Sequence, residues 1–244
     1  VGLVTLSALL LGSWSSAGLA AEELTISAAS LTNVFSDVAE AFCRGKPKVT
    51  VIFNFGASGA LFEQIDSGAP VDVFASADRE TMDGAESTRL VDRASRRDFA
   101  TNRLLLAAPA GARVTVRTLR DLGKPRVARV AVGSPEFVPP GRYARQALKC
   151  TGLWAALAPK LVLGSTIRQV LDYLARSEVD AGFVFATDVV ASRSEVVAVE
   201  DLKTREPVVY PAAVVSGSAG KGAARRFVGF LSGSEARAIL SKHD

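Results

Sequence analysis

Short apolar runs alternate with amphipathic segments from residue 23 onward, and this alternation limits the folds open to the chain. Residues 24–28 read as a strand. Leu31, Val34, Phe35, Val38 and Phe42 follow at helical spacing. Residues 49–55, rich in Val, Ile and Phe, form the next expected strand. Leu61, Phe62 and Ile65 give a short helix that stops at Gly68. Residues 71–75 are a strand again, and Asp78 opens another helix. The second half repeats the plan: strands over 104–108, 127–132, 181–185 and 208–215, with helices over 143–148, 167–174, 225–231 and 235–240. Residues 113–125 are polar and read as surface loop with a helical turn. Strand–helix–strand repetition implies an α/β fold with parallel pairing and helices on both sheet faces. Residues 101–103 and 209–211 read as crossings between two lobes. The expected division is lobe 1 over 21–101 plus 211–244 and lobe 2 over 102–210, with a ligand cleft between them.

Residues 1–20 carry no charge. Their apolar stretch, 1–11, is too short to span a bilayer and fits the core of a secretory signal, truncated at its start. Gly18 and Ala20 meet a small-x-small cleavage rule before Ala21, so the mature chain is expected to be exported and soluble. Export permits a disulfide between Cys43 and Cys150, but two unlinked thiols at helix ends fit equally well. The net charge of +4 is spread along the chain, and only 7% of residues are aromatic. That pattern argues against a nucleic-acid partner.

Helix N-termini attract Asp or Glu, because exposed N–H groups and the dipole place partial positive charge there. Asp78 with Glu80, and Glu235, follow the rule; four other starts do not. Ser30 leads Leu31-Thr32-Asn33, Ser58 leads Gly59-Ala60-Leu61, Thr166 leads Ile167-Arg168-Gln169, and Pro140 leads Gly141-Arg142-Tyr143. Any one of these reads as a plain cap. All four together, on loops able to face one cleft, point to a bound anion that supplies the missing negative charge.

Other chemistries fit less well. GASGA resembles a serine-hydrolase elbow around Ser58, but its last position is Ala60 rather than Gly. The single histidine, His243, is the penultimate residue, so a Ser–His–Asp site is improbable. The stretch around Gly220-Lys221 lacks the spacing of a phosphate loop. One histidine and two cysteines exclude a His/Cys metal cluster. Asp72 and Asp78 fit solvated or capping roles better than a hard-cation site.

The segments AASLTNVF (28–35), NFGASGALFEQI (54–65), GAPVDVFASAD (68–78), AVGSPEFVPPGRYA (131–144), LAPKLVLGSTIRQVL (157–171), GFVFATDV (182–189) and VVYPAAVV (208–215) together resemble the periplasmic molybdate-binding proteins of ABC transporters. The similarity runs along nearly the whole chain after residue 20. It implies a two-lobed type II periplasmic-binding fold, each lobe a mixed, mostly parallel sheet flanked by helices, closing on a tetrahedral oxyanion. It implies no enzyme activity and no cofactor. The expected role is a periplasmic, monomeric receptor that hands molybdate, and tungstate, to a permease.

Carried over by position, the resemblance makes Ser30 and Ser58 the hydroxyl and N–H donors of the first lobe. Ile167 becomes a backbone N–H donor of the second. Any molybdenum contact through these three is contact with the oxyanion. Pro140 and Phe185 fall at the two remaining contact positions but depart from the pattern: proline has no N–H, and phenylalanine lacks the hydroxyl of the usual tyrosine. Gly141, Tyr143 or a water is expected to fill in. The same fold serving another oxyanion or a small organic anion is the nearest alternative. A sensor subunit and a secreted hydrolase using Ser58 stand behind it.

Overall fold

The computed structural model describes residues 22–28, 32–44, 49–192 and 194–242. The expected signal segment and its cleavage point lie outside them, as do Ser30 and His243. Two five-stranded sheets carry the fold. The first is built from β1 (Glu22–Ala28), β2 (Val49–Phe55), β3 (Val73–Ala75), β4 (Arg97–Asn102) and β10 (Val208–Val214), in the order β2-β1-β3-β10-β4. The second holds β5 (Leu104–Pro109), β6 (Val130–Gly133), β7 (Leu161–Gly164), β8 (Ala181–Phe185) and β9 (Val196–Leu202), in the order β7-β6-β8-β5-β9.

The two sheets share one design. In each, three neighbouring strands run parallel: β2, β1 and β3 in the first, β7, β6 and β8 in the second. In each, the last two strands pair antiparallel, through β10 and β5 respectively. The helices α1 (Thr32–Cys43), α2 (Ser58–Asp66) and α3 (Arg79–Ser87) follow the parallel strands of the first sheet. In the second sheet α4 (Pro139–Cys150), α6 (Ile167–Ala175) and α7 (Ala186–Ala191) do the same. Between them lies α5 (Leu153–Leu157), and α8 (Lys221–Leu231) and α9 (Ser234–Leu240) close the chain. Residues 113–125 carry a 3-10 turn, Leu119–Gly123.

The parallel strands are nearly continuous apolar runs because helices cover them. Leu24, Ile26, Phe35, Val73, Phe74 and Phe227 are fully buried in the first half, and Val130, Phe183 and Phe185 in the second. Each such side chain contributes about 1.5–3 kcal/mol on leaving water. A row of aromatic rings passes from one sheet to the other. Phe53, Phe35, Phe99, Tyr210, Phe185 and Tyr143 follow in turn, with ring centroids 5.8–6.3 Å apart.

The chain passes from the first sheet to the second at Arg103, within the expected crossing. It returns over residues 203–207, upstream of the 209–211 expected from sequence. Val209–Pro211 instead sits inside β10, where the register with β4 shifts between Tyr210 and Pro211. A bulge there bends the strand locally, and a proline lacks the N–H a regular ladder needs. Asn102, the last residue of β4, ties the crossing together: its Nδ2 donates to Thr187 Oγ1 of α7 and to the Tyr210 hydroxyl, both at 3.0 Å. Cys43 is half-buried, Cys150 is exposed, and both are free thiols.

Candidate functional site

Parallel strands on each sheet end on one side, so the helix starts that follow them gather there. Two contacts show that the strand ends of the two sheets face each other. The Gly59 N–H at the start of α2 donates to the Phe137 carbonyl in the loop before α4, at 2.9 Å. The guanidinium of Arg142 in α4 donates to the Asp78 carboxylate, the N-cap of α3.

Ser58 is the first residue of α2 and fully buried. Its hydroxyl oxygen accepts the Ala77 N–H at 2.9 Å. That bond occupies an oxygen lone pair and leaves the hydroxyl proton for another acceptor. The Ser58 N–H has no acceptor among the described residues. A buried polar group of this kind is normally satisfied, and an open N–H at a helix start is suited to an anion. Among the described residues the hydroxyl makes no hydrogen bond to a basic side chain.

Ile167 opens α6 under the cap Thr166, whose hydroxyl accepts the Gln169 N–H. The N–H groups of Ile167 and Arg168 have no acceptor among the described residues. The start of α2 in the first sheet and of α6 in the second therefore both present open N–H groups without an acid in the first turn.

The start of α4 behaves differently. Pro139 and Pro140 occupy its first two positions and have no N–H. The next two donors, Gly141 N–H and Arg142 N–H, both go to the Val138 carbonyl. Gly141 therefore has no N–H to give in place of Pro140. Its role is steric: a Cβ there would stand 1.8 Å from the Gly133 carbonyl oxygen at the end of β6. Only glycine lets helix and strand approach so closely.

Phe185 ends β8, fully buried, with its ring against Tyr210 and Tyr143. Its N–H donates to Asp188 Oδ2 at 2.8 Å. Burial raises the Asp188 carboxyl to about 7, against the pull of that N–H and of Arg168. Tyr143 packs its ring on Phe185 and lines a cleft shared with Asp78, Arg142 and Glu206. Burial, reinforced by Asp78, lifts its phenol above the ordinary range.

The carboxylates weighed for a cation have structural tasks. Asp72 accepts the Thr25 N–H and the Ser218 hydroxyl, and Asp78 caps α3 by accepting the Thr81 N–H. The described residues hold no cluster of three or more His, Cys, Asp or Glu able to bind a metal.

Ser58 and Ile167 thus open helices that follow strands of the two different sheets, Phe185 and Pro140 stand in the second half without a donor of the expected kind, and Ser30 lies outside the described residues. Sequence reasoning missed the Ala77 N–H that orients Ser58, the Phe137 carbonyl over Gly59, and Arg142. A signal for the last was present: a cation in the first turn of a helix opposes the dipole and calls for a nearby anion.

The chain is similar to known proteins in both sequence and shape. A family model described as bacterial extracellular solute-binding protein matches residues 24–243. The chain is 36% identical over 226 residues to the molybdate-binding protein ModA of Escherichia coli, covering 88% of this chain and 85% of that one. It is 31% identical over 230 residues to ModA of Haemophilus influenzae, covering 90% and 88%. The periplasmic molybdate-binding protein of Azotobacter vinelandii superposes with a TM-score of 0.79 over 90% of this chain and 97% of that one; at 23% identity that likeness speaks for the fold. The architecture is the type II periplasmic-binding fold, and these relatives are binding proteins of transport systems, not enzymes.

Proposed function

The chain belongs to the bacterial extracellular solute-binding protein family, and from that premise we propose that it captures molybdate, and tungstate, and delivers the ion to an ABC permease. The features that support this reading are the buried Ser58 at the start of α2 and the acid-free start of α6. In this reading the Ser58 hydroxyl, whose proton is left free, and the open N–H groups at the two helix starts converge on one donor-only site. Such a site suits a fully deprotonated dianion. It disfavours protonated phosphate, whose P–OH would meet a donor and find no acceptor. Sulfate is smaller and would leave the same donors too long. Ser30, at its position in the resemblance, completes the first-sheet donors.

In the proposed arrangement the two sheets are the cores of two lobes, near the 21–101 plus 211–244 and 102–210 division, hinged at Arg103 and residues 203–207. Residues 1–20 serve as a cleaved export signal, and the exported chain works as a monomer in the periplasm.

A second reading keeps the fold and changes the anion. It is favoured by one observation: the start of α4 has no N–H to offer and Phe185 has no hydroxyl. Isothermal titration with molybdate, tungstate, sulfate and phosphate separates the two. Sub-micromolar binding of molybdate and tungstate alone is expected. Tight sulfate or phosphate binding with none for molybdate reassigns the receptor.

A further inference from the structure

Arg142 is a buried cation that the oxyanion site does not use. Its side chain is 8% exposed and that of its partner Asp78 only 2%. The guanidinium donates in two directions. Within its own half it reaches the carbonyls of Pro135 at 3.3 Å and Glu136 at 3.1 Å. Across the cleft it reaches Asp78 Oδ2 at 2.5 Å and Thr81 Oγ1 at 3.0 Å. The loop it grips, 134–138, carries the Phe137 carbonyl that receives the Gly59 N–H from the residue after Ser58. Asp78 in turn follows Ala77, whose N–H orients Ser58.

We infer that Arg142 is a positioning residue that clasps the two sheets shut over the oxyanion site, acting through Asp78 and the 134–138 loop without touching the ion. The double proline removes the donors from the start of α4, and two residues later the same turn supplies a cross-cleft ion pair. This helix start holds the closed form instead of holding the anion. The planar fork of arginine suits the task, because one group satisfies two carbonyls on one side and a carboxylate on the other. Opening the cleft separates Arg142 from Asp78, so the pair contributes in the closed state alone. The expected signature is a slower release of ligand rather than a faster capture. The ligand half of this inference rests on the molybdate reading; the closure half does not.

The test uses Arg142→Gln, Arg142→Lys, Asp78→Asn and the Arg142→Gln/Asp78→Asn double variant. Each glutamine or asparagine variant is expected to weaken molybdate binding about tenfold or more. Most of that loss falls in the dissociation rate measured by stopped flow, with association nearly unchanged. The double variant is expected to lose about as much as Arg142→Gln alone, since that substitution already removes the ion pair with Asp78. Lysine, a point charge, is expected to restore part of the loss. Small-angle X-ray scattering without ligand is expected to give a larger radius of gyration for Arg142→Gln than for the wild type.

Unchanged affinity and radius, or losses that add in the double variant, overturn the clasp. A wild type that ignores molybdate overturns the receptor reading alone, and the scattering comparison then decides the clasp. A single variant leaves one buried charge uncompensated and can fail to fold. The double variant leaves none, and its radius and dissociation rate, set against the wild type, then decide between clasp and no clasp.

Discussion

Ser58 answers two demands with one hydroxyl. Its oxygen satisfies the Ala77 N–H, and its proton is left for a ligand. Ser58→Ala is therefore expected to weaken molybdate binding by about 1.5–3 kcal/mol, the range of a hydrogen bond to a charged group. It also lowers the melting temperature, because the Ala77 N–H loses its acceptor inside the protein. Ser58→Asp places a carboxylate where the ion must sit, and titration should register no binding; normal binding would move the pocket elsewhere. Next to it, Gly59 lets the two halves approach closely. A Cβ at that position would lie 2.7 Å from Phe137 Cα, on the opposite side of the cleft. Gly59→Ala should lose most of the stabilisation that molybdate gives in a thermal-shift assay. Phe185→Tyr tests the missing hydroxyl: tighter binding identifies a weakened molybdate pocket, and unchanged binding means another group already serves that corner.

Helices and strands differed in how openly the sequence displayed them. β8 and β2 are found at the expected residues, because their apolar runs are their own. β4, β7 and β9 were not anticipated. β4 and β9 alternate little and bury few residues, and β7 is a four-residue edge strand. Such strands exist because a partner distant in the chain offers hydrogen bonds, and no local pattern records that. The same limit applies to the site. The places of Ser58 and Ile167 at helix starts were legible because a helix start is a local feature. The Asp78–Arg142 pair joins residues 64 apart and forms only where the two sheets meet. Close packing and burial set two further expectations for these elements. Gly141→Ala forces α4 away from β6, so a loss of stability large enough to see in urea unfolding is expected. At the start of α7, the Asp188 carboxyl titrates near 7 when folded, against an ordinary value of 3.8. The folded state thus takes up this proton more readily than the unfolded chain. The contribution is full below about pH 4 and is lost as pH rises through about 7. Melting temperatures of wild type and Asp188→Asn should therefore diverge in favour of the wild type on acidification from pH 8 to pH 4. A constant difference would mean that Asp188 does not titrate in that window.

The whole molecule is two copies of one sheet design joined at Arg103 and at residues 203–207, with Asn102 bonded to both Thr187 and Tyr210 at the junction. The strand order has a consequence for how such a chain is made. The second sheet is built from one uninterrupted stretch, 104–202, whereas the first lacks an interior strand until residues 208–214 exist. Before β10 is synthesised, β4 has no neighbour at all, and β3 has one side bare. The half that begins the polypeptide is thus the half that finishes late. It must wait, incomplete, until nearly the full length of the chain has been made.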